Sequence, residues 1–89
     1  MTVLYRKLFL KDLKTLQGNL SYDKIYNLAF IVLPEVTHLH DIQNVKAMKN
    51  YPKRYRIRIG DFRIGIEIQG DTVEVMRLLH RKEFYRYFP

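Results

Sequence analysis

Arg56, Arg58 and Arg63 fall in a stretch where every second residue is apolar, with Tyr55, Ile57, Ile59, Phe62 and Ile64 as the alternating partners. A guanidinium is a planar, permanently charged fork of donors that matches two oxygens of a phosphate. Several of them on one surface can clamp a phosphodiester and stabilise the extra negative charge that builds up when it is displaced. His80, Arg81 and Tyr85 follow, adding an imidazole able to give or take a proton, a fourth guanidinium and a phenol. There is no cysteine, which rules out disulfides, thiolate metal sites and cysteine nucleophiles. The chemistry open to this set is therefore phosphate binding and transfer, with charge supplied by arginine. No P-loop, dinucleotide fingerprint or nucleophile elbow is present.

The elements that must position these residues follow from the spacing. Tyr55, Ile57 and Ile59 alternate with Arg56 and Arg58, and Phe62, Ile64, Ile66 and Ile68 alternate with Arg63, Gly65 and Glu67. Gly60-Asp61 between them predicts a two-residue hairpin loop of type II′. That register places Ile59 opposite Phe62, Arg58 opposite Arg63, Ile57 opposite Ile64 and Arg56 opposite Gly65. Like charges facing each other across strands cost up to about 1 kcal/mol. Gly65, lacking a side chain, would leave a floor for close approach of a phosphate. The alternative is a solvated outer face, or arginines paired with Glu67 and Glu74.

A second turn at Gly70-Asp71 predicts a third strand over about 72–79. Strict alternation there would bury Arg77 in the core, which is costly for an unpaired charge. A one-residue bulge near Met76-Arg77 would return Leu78 inward and bring Arg77, Leu79 and Arg81 to the basic face.

Upstream, residues 2–7 begin as a short extended segment. Phe9, Leu13, Leu16 and Leu20 then recur at helical spacing until Gly18-Asn19. Ser21 is a fitting N-cap for a second helix that presents Ile25, Leu28, Ala29 and Val32 and stops at Pro34. The N-terminal third is thus an antiparallel helical hairpin. Leu39, Ile42, Val45 and Met48 recur every three residues, a spacing that suits either a loose helical turn or a loop with apolar anchors, closed by Pro52. His38 and His40 beside Asp41 read as surface residues rather than a metal site, because two histidines are too few ligands.

The whole chain has 89 residues, 16 Lys and Arg against 9 Asp and Glu, and a net charge of +7. Residues 1–48 hold six basic and four acidic side chains, so residues 49–89, with ten and five, carry most of the excess. Such an excess favours a polyanionic partner, nucleic acid first. Without a linker or repeat, the expectation is one small α+β domain over 1–89, a helical hairpin packed on a twisted antiparallel sheet. No apolar run approaches the roughly 18–20 residues of a membrane span, and no signal-peptide pattern is present, so a cytoplasmic location is expected.

The run Tyr55-Arg56-Ile57-Arg58-Ile59-Gly60-Asp61-Phe62-Arg63-Ile64, followed by His80-Arg81-Lys82-Glu83-Phe84-Tyr85-Arg86, resembles the RelE/ParE superfamily of toxin–antitoxin toxins. The resemblance spans the whole chain. It implies either a RelE-like ribonuclease, cleaving messenger RNA in the ribosomal A site, or a ParE-like inhibitor of DNA gyrase. By motif position Arg56, Arg58, Arg63, Arg81 and Tyr85 match the residues that the ribonuclease chemistry needs, and His80 is a candidate for proton transfer. Lys49, Lys53, Arg54, Arg77, Lys82 and Arg86 would contact RNA around them. A plain RNA-binding module is the third reading. Relatives carry lysines where Arg56 and Arg58 stand, and arginine is a poor base. The base would then be His80 or Glu67, or catalysis rests on positioning. The resemblance also implies a cognate antitoxin and ribosomal RNA contacts as partners, with neither metal nor cofactor.

Overall fold

A computed structural model describes all 89 residues. It places β1 (Thr2–Tyr5), β2 (Val45–Met48), β3 (Tyr51–Ile59), β4 (Phe62–Gln69) and β5 (Thr72–His80) in one sheet of order β1-β5-β4-β3-β2. The strands from β2 to β5 are antiparallel neighbours, while β1 joins the outer edge of β5 in parallel. Helices α1 (Lys7–Thr15) and α2 (Tyr22–Asn27) cover one face, and α4 (Phe84–Tyr87) lies against the other. The architecture is α+β, as expected, with a mostly antiparallel sheet.

The helix face carries the main core. Phe9 and Leu13 of α1 and Ile25 and Ala29 of the second helix pack against Ile57, Ile64, Ile66, Val73 and Val75. The α1 face ends one turn earlier than its spacing predicts, because Gly18 takes φ +88 and Leu20 is left 99% exposed. Ser21 does not cap α2 with its side chain. Its own N–H instead donates to Asn19 Oδ1 at 2.8 Å, so the preceding asparagine closes the turn.

The second helix also passes Pro34 rather than stopping there. It widens into a π-helical turn, Leu28–Val32, and ends in the short turn α3 (Leu33–Glu35). Leu33 N–H reaches back to Leu28 O, and Pro34 has no N–H to give, so the Ala29 carbonyl loses its helical partners. The Tyr5 hydroxyl supplies the replacement, donating to Ala29 O at 2.6 Å. Burial, reinforced by Tyr26, raises the pKa of that phenol.

The segment at 35–53 resolves into a 3₁₀ turn (Leu39–Asp41) and β2, a strand that the threefold apolar spacing concealed. Pro52 lies inside β3, next to the Met48–Tyr51 pair, and does not precede the strand. Beyond it the β3–β4 register is the expected one, from Ile59 opposite Phe62 to Arg56 opposite Gly65. β5 does contain the bulge: Gly65 pairs with Arg77 and Ile66 with Val75, leaving Met76 as the extra residue. Leu78 returns to the core, 3% exposed, while Met76 turns to a second cluster with Met48, Phe84 and Phe88.

Candidate nucleic-acid interface

The β3–β4 turn sets the geometry of the arginines. Gly60 adopts φ +56 and Asp61 does not enter the positive region, which suits the type II′ pattern and holds Arg58 directly opposite Arg63. Arg63 Nη1 donates to the carbonyls of Gly60 and Phe62 at 2.9 and 3.0 Å, fixing the side chain over the turn. Arg58 Nη2 donates to Asn44 Oδ1 at 3.3 Å. Arg56, the next residue on that face, has a buried Nε with no hydrogen-bond partner.

None of these three arginines has a carboxylate within salt-bridge distance. Glu67 pairs with Arg54 at 3.2 Å, and Glu74 pairs with Arg6. The acids that might have neutralised the cluster are therefore engaged elsewhere. Burial lowers the Arg63 pKa foremost, followed by the charges of Arg56 and Arg58; Arg81 acts in the same direction and Tyr85 against it. Those five groups share one electrostatic neighbourhood. Arg81 is exposed beside Asp61, with Nε 3.7 Å from Oδ1 and its N–H bonded to Asp61 O at 2.7 Å. Tyr85 is 62% exposed and stands edge-on to Phe84, ring centroids 5.1 Å apart.

Two expectations are corrected here. Gly65 does not floor an open phosphate site: the Phe88 ring lies over it, so close that a Cβ would sit 2.7 Å from ring carbons. The reason is the i, i+4 pair Phe84 and Phe88, which packs the C-terminal tail onto this face. The open part of the arginine face is the turn end, around Arg58, Arg63 and Arg81. His80 does not join the cluster either. It pairs with Phe62 and meets that ring edge-on at 5.5 Å, on the helix side of the sheet. The bulge that brings Leu79 opposite Arg63 sends His80 the other way by parity. Its Nδ1 accepts the Lys82 N–H at 3.2 Å.

The surrounding basic residues divide. Arg54 is held by Glu67 and lies 5.6 Å from the Phe88 ring centroid. Arg77 Nε and Nη2 donate to the Asp12 carboxylate at 2.9 and 3.2 Å, with Tyr87 5.8 Å away, and this bond raises its pKa. Both are structural ties. Lys82 and Arg86 are exposed near the cluster's end of the sheet, beyond β5 and on α4. Lys49 and Lys53 are exposed at the far end of β3, with Lys53 about 16 Å from Arg58 along the strand. His38 and His40 are exposed, their rings stacked 5.2 Å apart.

From the turn a groove of about 830 Å³ runs toward α2, lined by Arg58, Arg63 and Arg81 and, as a second set, by Lys24, Asn27 and Asn44, the last of which bonds Arg58 directly. Sequence reasoning missed that second set. Its one visible signal was Asn44, an asparagine just ahead of a strand, which takes φ +65.

The chain matches, over residues 3–85, the family described as the ParE toxin of the type II toxin–antitoxin system parDE. It is 43% identical over 90 residues to Toxin RelE3 of Methanocaldococcus jannaschii, covering all of both chains. The toxin of the RelB–RelE antitoxin–toxin complex from Methanococcus jannaschii superposes with a TM-score of 0.78 at 41% identity, covering 97% of this chain and 99% of that one. The Escherichia coli DinJ–YafQ complex shares the fold, with a TM-score of 0.74 at 13% identity over 93% and 96% of the chains. On the two-part motif, the fold and these matches, the chain belongs to the RelE/ParE superfamily and is a RelE-like toxin of the type II toxin–antitoxin class.

Proposed function

We propose that the protein is a ribosome-dependent endoribonuclease that cleaves messenger RNA in the A site by attack of a 2′-hydroxyl on the adjacent phosphate. The observation that carries this reading is the set of three sheet arginines, Arg56, Arg58 and Arg63, left without a carboxylate while Glu67 and Glu74 serve other arginines. Uncompensated positive charge in a small protein opposes folding, and a phosphate would neutralise it. A cognate antitoxin is the proposed protein partner, in keeping with the complexes in which the related toxins are found.

The roles proposed here are supported by the geometry. Arg58, Arg63 and Arg81 hold the scissile phosphate and stabilise the dianionic phosphorane, and Arg56 adds charge from behind. Tyr85, exposed at the cluster, orients the 2′-hydroxyl or stacks on a splayed base. Glu67 is tied to Arg54, and His80 faces the helices, so neither is placed as the base. Catalysis then rests on in-line positioning and charge stabilisation. The P–O5′ bond breaks as the 2′-oxygen bonds to phosphorus, leaving a 2′,3′-cyclic phosphate and a 5′-hydroxyl. Water or the ribosome takes the 2′-hydroxyl proton and supplies one to the 5′-oxygen.

Mapping 5′ ends of cellular messenger RNA soon after induction tests this directly. Cuts within codons that vanish in Arg63→Ala and Arg81→Ala, together with relief of growth arrest, are expected. Full toxicity in both variants would overturn the reading. Growth arrest with intact messages and disturbed supercoiling would select the gyrase-inhibitor alternative, which the match to the ParE family keeps in play.

A further inference from the structure

The residues that line the groove beside the arginines have a chemistry of their own. Asn27, Gln43 and Asn44 bring three carboxamides to the groove, and Lys24 brings an ammonium with no salt-bridge partner. The one carboxylate there, Asp41, lies 3.7 Å from His40. Asn44 is the most constrained of the set. It holds φ +65, its carbonyl accepts the Arg58 N–H at 3.1 Å, and its Oδ1 accepts Arg58 Nη2 at 3.3 Å. With Oδ1 engaged, the Nδ2 group remains as a free donor on a residue that lines the groove. Asparagine is the side chain that enters the left-handed region most readily, so this backbone suits the residue.

The two sets of side chains suit two parts of a nucleotide. Guanidiniums match phosphate oxygens, and contacts to phosphate carry no base information. A carboxamide sets a donor beside an acceptor, the pattern of a base edge, and Asn or Gln pairs best with the adjacent N6 and N7 of adenine. A groove of about 830 Å³ falls in the usual range for small-ligand sites, about 300–1,000 Å³. We propose that Asn27, Gln43 and Asn44 read the base of the nucleotide whose phosphate lies on Arg58, Arg63 and Arg81, favouring adenine in single-stranded RNA. Asn44 has a second part as a positioning residue, holding the Arg58 fork toward the phosphate. This inference rests on the ribonuclease reading and names the sequence preference of the same site.

The test is fluorescence anisotropy with uncleavable 2′-O-methyl hexamers of A, U or C, using the purified protein, alongside cut-site mapping in cells. Wild type should bind the A hexamer roughly five- to a hundredfold more tightly than the U hexamer. Gln43→Ala and Asn27→Ala should bring that ratio toward unity while leaving the salt dependence of binding intact, since the arginines remain. Asn44→Gly, which keeps the left-handed backbone, should lose the preference and also weaken binding to all three hexamers. In cells the base bias at the cuts should flatten in Gln43→Ala. Salt-dependent binding with no base preference in wild type, or a preference and cut bias unchanged in all three variants, overturns this inference and spares the phosphate clamp. Absence of both salt-dependent binding and cuts overturns the clamp and this inference together.

Discussion

Arg58 and Arg63 face each other across two strands with no acid between them, so the fold carries an electrostatic cost at the place proposed to act. Replacing Arg58 by Gln should relieve it. We expect Arg58→Gln to be more stable than wild type by about 0.5–1 kcal/mol. For a domain of this size that is a rise of about 2–8 °C in thermal midpoint. The same variant should lose messenger RNA cutting. Thermal denaturation and induction assays together check the trade, and a destabilised Arg58→Gln would show that the pair contributes packing that outweighs its repulsion. Much of this site was legible before the structure, because period-two alternation and a two-residue turn fix which side chains share a face. The face of His80 follows from the bulge expected near Met76-Arg77, since one extra residue reverses every later position and turns His80 toward the helices. The groove lining from α2 was not legible, because Lys24 and Asn27 lie far from the hairpin in sequence.

At the scale of elements, the ties between them decide which parts of the sequence stay legible. Asp12 of α1 accepts from Arg77 twice and from the Leu78 N–H at 2.9 Å, where β1 no longer covers the edge of β5. Asp12→Ala should therefore cost about 2–3 kcal/mol in chemical denaturation, because it strands a guanidinium and a backbone donor at once. A cost no larger than that of a surface substitution would mean that water replaces the carboxylate at both. Gly65 and Phe88 form a second tie. Gly65→Ala should push the Phe88 ring off the sheet and cost about 1–3 kcal/mol. Adding Phe88→Ala to it should cost far less than the sum of the two single changes, a coupling that a double-mutant cycle measures. The helix end shows why some boundaries could not be read. Pro34 was a sound stop signal, but a π turn and the Tyr5 hydroxyl, 29 residues upstream of that proline, let the helix continue past it. Tyr5→Phe should cost about 1–3 kcal/mol by leaving the Ala29 carbonyl unpaired. The raised phenol pKa adds a pH signature: above about pH 10 the unfolded tyrosine ionises first, so wild-type stability falls as pH rises further, and Tyr5→Phe should lose that share of the slope.

For the whole molecule, the net charge of +7 is less informative than where it is left unpaired. Arg6, Arg54 and Arg77 are tied to acids as structural links, and Arg81 has only a long, exposed contact with Asp61. The free charge on the sheet is therefore Arg56, Arg58 and Arg63, with Lys46 of β2 opposite Arg56, Arg81 beside them and Lys53 at the far end of β3. Single-stranded nucleic acid bound by such a set releases counterions in proportion to the phosphates neutralised. Four contacts predict a slope of log affinity against log salt of about −3, and Arg63→Ala should bring it to about −2. Lys49 and Lys53 sharpen the comparison because they stand at the other end of β3. If RNA crosses only the turn end and enters the groove toward α2, Lys49→Ala and Lys53→Ala should leave the slope unchanged. If it runs the length of β3, each should reduce the slope by about 0.7. The Phe88 ring over Gly65 and the ion-paired Arg54 close the middle of that longer track, so the shorter path is the one expected.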